Sequence, residues 1–315
     1  YKINHMKELI KVLSVAIAGV LAMPAFGQQD PHFTQYSDNM LFVNPAYAGS
    51  RGAVNLNYFG RSQWSGIPGA PKTNSISLDG SNIKGNMGLG VQVYNDQIGV
   101  FKRNGMNLMA SSRVKISDNG VLSGGIQLGV LNQRNNLSDV ANVYDRNDPK
   151  FQENKSVTDA TLGAGVFYNT DKFYAGFSVP NVLKSRLTAF DVMNSGIQKV
   201  NSTHIFFTSG YVFDVNEDVK IKPSTMIKAV GGAPIEADFN TNVWLKNVIR
   251  LGFSYRTGDA MVAMAEAQIN NNLRVGYAYD ITISPLKYYN NGSHELMFRY
   301  EFGNNNTKIK STRYF

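Results

Sequence analysis

The feature that most constrains this chain is an alternation of apolar and polar residues with a period of two, repeated along most of its length. Residues 295–302 are the clearest case. Successive side chains of a β-strand point to opposite faces of the sheet, so this segment has one apolar and one charged face. The pattern predicts a strand whose apolar face carries Leu296, Phe298, Tyr300 and Phe302.

About fourteen segments of this kind follow one another, which is an even number, as in bacterial outer-membrane β-barrels. Their connections alternate between long and short. The longer ones are predicted at 61–72, 95–105, 132–157, 180–202, 229–235, 257–259 and 281–293. The shorter ones are predicted at 80–86, 117–120, 170–171, 214–218, 246–247 and 270–272. Long extracellular loops and short periplasmic turns alternate in this way in a transmembrane antiparallel up-and-down barrel.

The alternative fold is a soluble β-sandwich, in which the apolar faces would be buried against each other. The alternation of connection lengths and the tyrosines at strand ends, which suit the membrane interfaces, favour the barrel. Pro223 cannot donate a ladder hydrogen bond, so we expect a bulge or a register break there.

The first 27 residues have the pattern of an export signal. Lys7 and Lys11 precede an apolar stretch at 12–23, and Ala25-Phe26-Gly27 forms a small-x-small cleavage site. We therefore expect a signal peptide at 1–27, with 1–5 as an upstream extension. A motif segment at 28–50, an outer-membrane barrel at 51–302 and a tail at 303–315 follow. No other apolar run is long enough for a membrane-spanning helix.

The residues opposite the apolar faces are predicted to point into the barrel lumen. Charges of both signs are interleaved among them: Lys220, Lys222, Lys228, Arg250, Arg274, Arg299, Glu295 and Glu301. They would line either a charged passage or a packed interior in which the charges pair, and the interleaving favours the packed interior. Glycines on the same face would make room or let a plug, an N-terminal segment or a partner approach closely.

Composition excludes several functions. The chain has no cysteine, which rules out disulfides and thiolate sites. No metal-binding, cofactor-binding or catalytic motif occurs, so we expect no cofactor and no enzymatic activity. A site assembled around His204 or His294, as in a barrel phospholipase, is the enzymatic alternative. The net charge of +8 includes no dense basic cluster, which argues against nucleic acid and favours lipid and lipopolysaccharide phosphates as partners.

Three stretches carry a family resemblance. They are Asp30-Pro31-His32-Phe33-x-Gln35-Tyr36 with Asn44-Pro45-Ala46-Tyr47-x-Gly49, then Arg61-x-Gln63-Trp64, then Gly292-Ser293-His294-Glu295 leading into the closing strand Arg299-Tyr300-x-Phe302. In these stretches the mature chain resembles the PorP/SprF family of outer-membrane proteins. The tail after Phe302 departs from this pattern, because many members stop near that aromatic residue.

The resemblance implies a barrel that assists type IX secretion or surface anchoring of a partner protein, such as a gliding adhesin recognised through its C-terminal domain. It also implies type IX secretion components as partners. Two other hypotheses remain: a passive diffusion channel for small solutes, and a barrel that only scaffolds its neighbours.

The motif at 28–50 has its own physical interpretation. Pro31 and Pro45 bias the preceding residues away from helix, and the motif also offers several large apolar residues for burial. We expect this segment to pack against the periplasmic rim or the lumen wall. The alternative is a flexible leader.

Overall fold

The structure is a computed structural model that describes residues 31–82, 84–140, 154–182, 203–231 and 233–303. The predicted signal peptide, Asp30 and nearly all of the predicted tail lie outside these residues. The helices in this part of the chain are all too short or too polar to cross a bilayer.

The described chain forms one antiparallel sheet. Its strands are β1 (Val54–Ser62), β2 (Lys72–Ser81), β3 (Met87–Ile98), β4 (Phe101–Lys115), β5 (Val121–Asn135), β6 (Lys155–Asn169), β7 (Phe173–Val179), β8 (His204–Tyr211), β9 (Phe213–Asp214), β10 (Val219–Val230), β11 (Glu236–Leu245), β12 (Ile249–Arg256), β13 (Ala260–Gln268), β14 (Leu273–Thr282) and β15 (Ser293–Phe302). Within the described ranges, the helical elements are α1 (Met40–Val43) and 3₁₀ turns at Pro45–Tyr47, Leu137–Asp139 and Pro285–Tyr288.

The sheet closes into a barrel because β1 pairs with β2 on one side and with β15 on the other. The short β9 and the preceding β8 both pair with β10, so together they are one interrupted strand. The result is a closed barrel of 14 strands, which confirms the predicted fold class.

The two faces of the barrel have the predicted chemistry. On β15, Phe298 faces outward and is 42% exposed, whereas the adjacent Met297 faces the lumen and is 0% exposed. Large apolar side chains are exposed in the same alternating way on the other strands, and the polar side chains between them are buried. An exposed apolar band over a polar interior is the arrangement of a barrel that crosses a membrane.

The long connections start and finish at the same end of the barrel, where they follow Ser62, Asn135, Val179 and Thr282. Two short turns, at 99–100 and 257–259, lie at that end as well. The turns at 82–86, 116–120, 170–172, 215–218, 246–248 and 269–272 are all short and lie at the other end, with Val54 and Phe302. Short turns of outer-membrane barrels face the periplasm. We call the end that contains Val54 and Phe302 the inner end, and the opposite end, which contains Ser62, the outer end.

One predicted long loop is wrong. Residues 95–105 are mostly strand, with Asn95 paired to Asn104, and only residues 99–100 connect β3 to β4. These residues are polar because the strands extend beyond the apolar band, where neither face requires apolar side chains. Alternation detects only the membrane-embedded part of a strand.

The register around Pro223 also differs from the prediction. Pro223 pairs with Thr241 within an uninterrupted β10–β11 ladder. On its other side, the pairs Ser224–Gly210 and Ile221–Phe213 belong to one register, and on β10 only Lys222 and Pro223 between them are unpaired. Proline has no N–H to donate, so the pairing of β10 with β8 and β9 is interrupted at Pro223, but the register is the same on both sides of the interruption.

The apolar band can be tested with Leu128→Arg. Leu128 is 57% exposed near the middle of β5, so arginine there should destabilise the folded barrel by about 2–4 kcal/mol in lipid. Urea unfolding in lipid vesicles measures this. Val114→Arg is the control, since Val114 is 60% exposed but near the inner end of β4, and should cost about 0–1 kcal/mol. Equal effects would contradict the proposed membrane position.

Candidate functional site

The candidate site is the part of the chain before β1, residues 31–53, which runs through the lumen and is called the luminal segment below. From Phe33 to Gly49 every residue except Phe42 is buried. Thr34 contacts Glu295 near the outer end of β15, whereas Gly49 contacts Asp79 near the inner end of β2. The segment therefore lies against the lumen wall and extends from the outer towards the inner end.

Glycines on the barrel wall make room for its backbone near the inner end. A Cβ atom at Gly88 would stand 1.9 Å from the carbonyl oxygen of Ala48, and one at Gly125 would stand 2.4 Å from the Cα of Ala46. Real Cβ atoms do not come so close to backbone, so only glycine fits at these two wall positions. The sequence predicted that inward glycines either make room or allow another segment to approach closely. At both of these positions the structure shows close approach of a segment.

Asn44 fixes the turn in the segment and connects it to the wall. Its side-chain oxygen accepts a 2.9 Å hydrogen bond from the backbone N–H of Ala46, as an N-cap of the 3₁₀ turn. Its side-chain nitrogen donates a 2.9 Å bond to the carbonyl of Val166 on β6. Ser178 on β7 donates a 2.6 Å bond to the carbonyl of Val43. The turn thus has a defined position against two neighbouring strands.

Asp38 is the electrostatic centre of the segment. Arg250 on β12 donates a 2.5 Å hydrogen bond to one carboxylate oxygen, and Arg299 on β15 donates a 2.9 Å bond to the other. Burial disfavours a charged carboxylate, but two guanidinium groups in direct contact favour it. Asp38 is therefore an ionised carboxylate that joins the segment to two wall strands.

The outer part of the segment binds two wall carboxylates. The backbone N–H groups of Thr34 and Gln35 donate to the two oxygens of Glu295, at 2.7 and 2.8 Å. The Thr34 hydroxyl donates to Asp280, and Arg61 joins the same network with a 2.8 Å bond to Asp280. Backbone donors of an irregular segment need such partners when they are buried.

Aromatic rings fill the space between these polar contacts. The ring of Phe33 packs edge-on against Phe42 and Phe59, with centroids 5.0 and 5.7 Å apart. Tyr47 packs edge-on against Phe167 at 5.4 Å, and its hydroxyl accepts a 2.9 Å bond from Arg51. The aromatic residues of the motif are thus packed against the wall.

A cavity of about 530 Å³ opens at the outer end, above the beginning of the luminal segment. Pro31 and His32 form part of its lining, and Gln63 and Trp64 of the β1–β2 loop form another part. Burial, followed by the positive charge of Arg256, lowers the pKa of His32 well below its ordinary value, so the imidazole is neutral at physiological pH.

The structure brings most of the predicted motif residues together in these two places. Pro31, His32, Gln63 and Trp64 line the outer cavity, while the other described motif residues lie within the lumen: Phe33, Gln35, Tyr36, Asn44, Pro45, Ala46, Tyr47, Gly49 and Arg61. Leu296, Phe298, Tyr300 and Phe302 are exposed on the outer face of β15.

The predicted lumen charges have described partners of several kinds. Lys220 pairs with Asp214 near the inner end, Arg274 pairs with Glu266, and Glu301 pairs with Arg51. The ammonium group of Lys222 lies 5.4 Å from the centroid of the Trp244 ring. Lys228 pairs with Glu236 at 3.4 Å. The other three, Arg250, Arg299 and Glu295, bind the luminal segment.

Sequence reasoning missed Asp38 and Thr34. Asp38 had a usable signal, because it is the only charged residue between Phe33 and Ser50. A single carboxylate in an otherwise neutral segment next to an arginine-bearing wall suggests an ion pair. Thr34 offered no signal, since its backbone N–H and its hydroxyl meet their partners, Glu295 and Asp280, only in the folded barrel.

Comparison with known proteins identifies one family. A family model described as "Type IX secretion system membrane protein PorP/SprF" matches residues 25–300. No curated protein matches the chain.

Several solved structures show a distant similarity to this chain. An outer-membrane protein of Acinetobacter baumannii, Omp33, is 8% identical, with a TM-score of 0.48, over 79% of this chain and 98% of its own. The CymD monoaromatic hydrocarbon channel is 9% identical, with a TM-score of 0.48, over 89% and 95%. A KdgM porin is 11% identical, with a TM-score of 0.41, over 79% and 100%.

The contribution of Asp38 can be measured with Asp38→Asn. The substitution keeps the shape but removes the charge that Arg250 and Arg299 share, and breaking a buried pair in this way costs about 3–5 kcal/mol. The change should be seen as a lower denaturant midpoint in refolded protein. Asp118→Asn, in an exposed turn, should stay within about 0.5 kcal/mol of the wild type. Similar midpoints for both variants would contradict the role given to Asp38.

Proposed function

This chain belongs to the PorP/SprF family of type IX secretion system membrane proteins, and from that premise we propose that it is a closed barrel that assists the secretion or surface anchoring of one specific partner protein. The barrel fold and the family place the protein in the outer membrane, as predicted. The family and the barrel fold are typical of secretion and membrane-channel proteins rather than of enzymes.

The observation that carries the proposal is the filled lumen. Between the inner and outer ends the luminal segment occupies the space that a channel would leave to water. It is held by the Asp38 ion pairs, the Glu295 hydrogen bonds and the close contacts at Gly88 and Gly125. These contacts place the segment where a solute would have to pass.

The filled lumen also distinguishes between the hypotheses derived from the sequence. A passive channel gains nothing from an ion-paired segment across its passage, whereas a protein that holds a partner gains a rigid outer surface. Loops carry binding functions when a rigid scaffold positions them. Here the luminal segment and the β1–β2 loop together line the outer cavity, so part of that surface is supported from inside the barrel.

The proposed partners are other type IX secretion components and a large surface protein, such as a gliding adhesin, that is recognised through its C-terminal domain. Lipid contacts the apolar band, and lipopolysaccharide phosphates are the proposed contact for basic residues outside it.

Deleting the gene and comparing the surface and secreted proteomes tests the proposal. We expect one large surface protein to be lost while other secreted proteins are unaffected. Complementation with wild-type protein should restore it, whereas a variant with Asn44, Pro45 and Tyr47 changed to alanine should not, even though it still folds into a heat-modifiable barrel. An unchanged surface proteome after deletion would refute the partner-specific function.

Conductance separates this function from that of a diffusion channel. Wild-type protein in planar lipid bilayers should show no large, steady ion conductance, because the luminal segment fills the barrel. Asp38→Ala, which frees the segment from Arg250 and Arg299, should increase conductance above the wild-type value, and Asp118→Ala should not. Large and steady conductance by the wild-type protein would support the channel instead.

A further inference from the structure

We propose that His32, Glu236 and Asp238 form a binding site for a divalent transition-metal ion such as Zn²⁺, at the outer end of the luminal segment. The site lies at the base of the outer cavity. It goes beyond the function proposed above and does not depend on it.

The three side chains converge from two separate parts of the fold. His32 belongs to the luminal segment, and the two acidic residues lie at the outer end of β11. His32 Nδ1 is 3.6 Å from Glu236 Oε1, and His32 Nε2 is 3.9 Å from Asp238 Oδ2. One donor atom from each residue lies within 4.8 Å of the other two. A small inward movement brings such atoms to the spacing of ligands around one ion.

Each of these residues has a buried atom without a hydrogen-bond partner in the described structure. The atoms are His32 Nε2, Glu236 Oε1 and Asp238 Oδ2. The Asp238 side chain is only 2% exposed, so bulk solvent does not reach it. Glu236 Oε1 has ion-pair contacts with Lys228 and Arg256 but no hydrogen bond. Buried polar atoms are normally hydrogen-bonded, and three that converge without hydrogen bonds mark a place for a cation.

The charge balance of the surrounding network favours the same conclusion. Among the described residues, five carboxylates connected by ion pairs face three cationic side chains. The carboxylates are those of Glu236, Asp238, Asp259, Asp280 and Glu295, and the cations are Arg61, Lys228 and Arg256. Carboxylates thus outnumber cationic groups in a largely buried cluster, which is unfavourable for their ionised forms. A divalent cation bound there offsets this excess.

The donor set and its access suit a transition metal. One imidazole nitrogen and two carboxylate oxygens are ligands that zinc accepts, and a further coordination position is left for water. His32 and Glu236 both line the outer cavity, which supplies a path for entry. Lys228, with its ammonium nitrogen 3.4 Å from Glu236 Oε1, competes with the ion for that carboxylate.

A bound ion would fasten the outer end of the luminal segment to β11, as Asp38 fastens its middle to β12 and β15. No short sequence motif predicts the site, because His32 is far from Glu236 and Asp238 in the sequence. The absence of a short metal-binding motif therefore does not conflict with it.

The test is a zinc titration of the full mature protein, refolded in detergent and stripped of metal with a chelator. Isothermal titration calorimetry should give one Zn²⁺ per barrel, and Zn²⁺ should raise the Tm. His32→Ala and Glu236→Gln should each weaken binding at least tenfold and abolish the Tm increase. Lys228→Met, which removes the competing cation, should bind more tightly than the wild type.

His294→Ala is the matched control, because the His294 ring bonds to Tyr277 outside this cluster, and it should bind like the wild type. Heat modifiability on gels establishes that each variant is folded. If His32→Ala does not fold, Glu236→Gln decides the outcome. No saturable binding by the wild type, or equal binding by the folded His32→Ala or Glu236→Gln variant, would overturn the proposal.

Discussion

The structure depends on one geometric constraint: fourteen strands enclose a lumen that their own inward side chains do not fill. A barrel of about eight strands is filled by its side chains, and wider barrels leave a channel unless something else occupies it. In this chain the occupant is the luminal segment, residues 31–53. The wall bears glycines where the backbone of the segment passes closely, and charges where the segment offers partners.

The same constraint explains why so many charged groups are buried. Arg250 and Arg299 lie inside the barrel, where an isolated charge would be very unfavourable. Asp38 compensates them, and Glu295 is likewise satisfied by backbone donors of the segment. Wall and segment are therefore complementary, and each would contain unpaired buried groups without the other. This complementarity favours a closed barrel with a rigid outer surface and argues against a diffusion channel. The chain belongs to a family of type IX secretion system membrane proteins.

The sequence predicted the outer face of the barrel well and its interior only in part. The outer face follows one rule, apolar residues at every second position, so the alternation predicts the strands and their approximate number. The resemblance to the PorP/SprF family rests instead on short motifs, such as Asn44-Pro45-Ala46-Tyr47. For polar extensions such as Asn95 and Asn104 the sequence predicts a loop, because beyond the membrane no such rule applies. The pairing of Asp38 with Arg299 depends on barrel closure, which brings residues far apart in the chain together, and periodicity carries no information about that.

The central claim is that the luminal segment is folded inside the barrel in the membrane. Hydrogen–deuterium exchange of the protein in lipid nanodiscs tests it most directly, because the backbone N–H groups of Thr34, Gln35 and Gly49 donate to wall carboxylates. The account predicts that peptides covering residues 33–49 exchange as slowly as the barrel strands. Exchange of these peptides at the rate of an unstructured chain would contradict it.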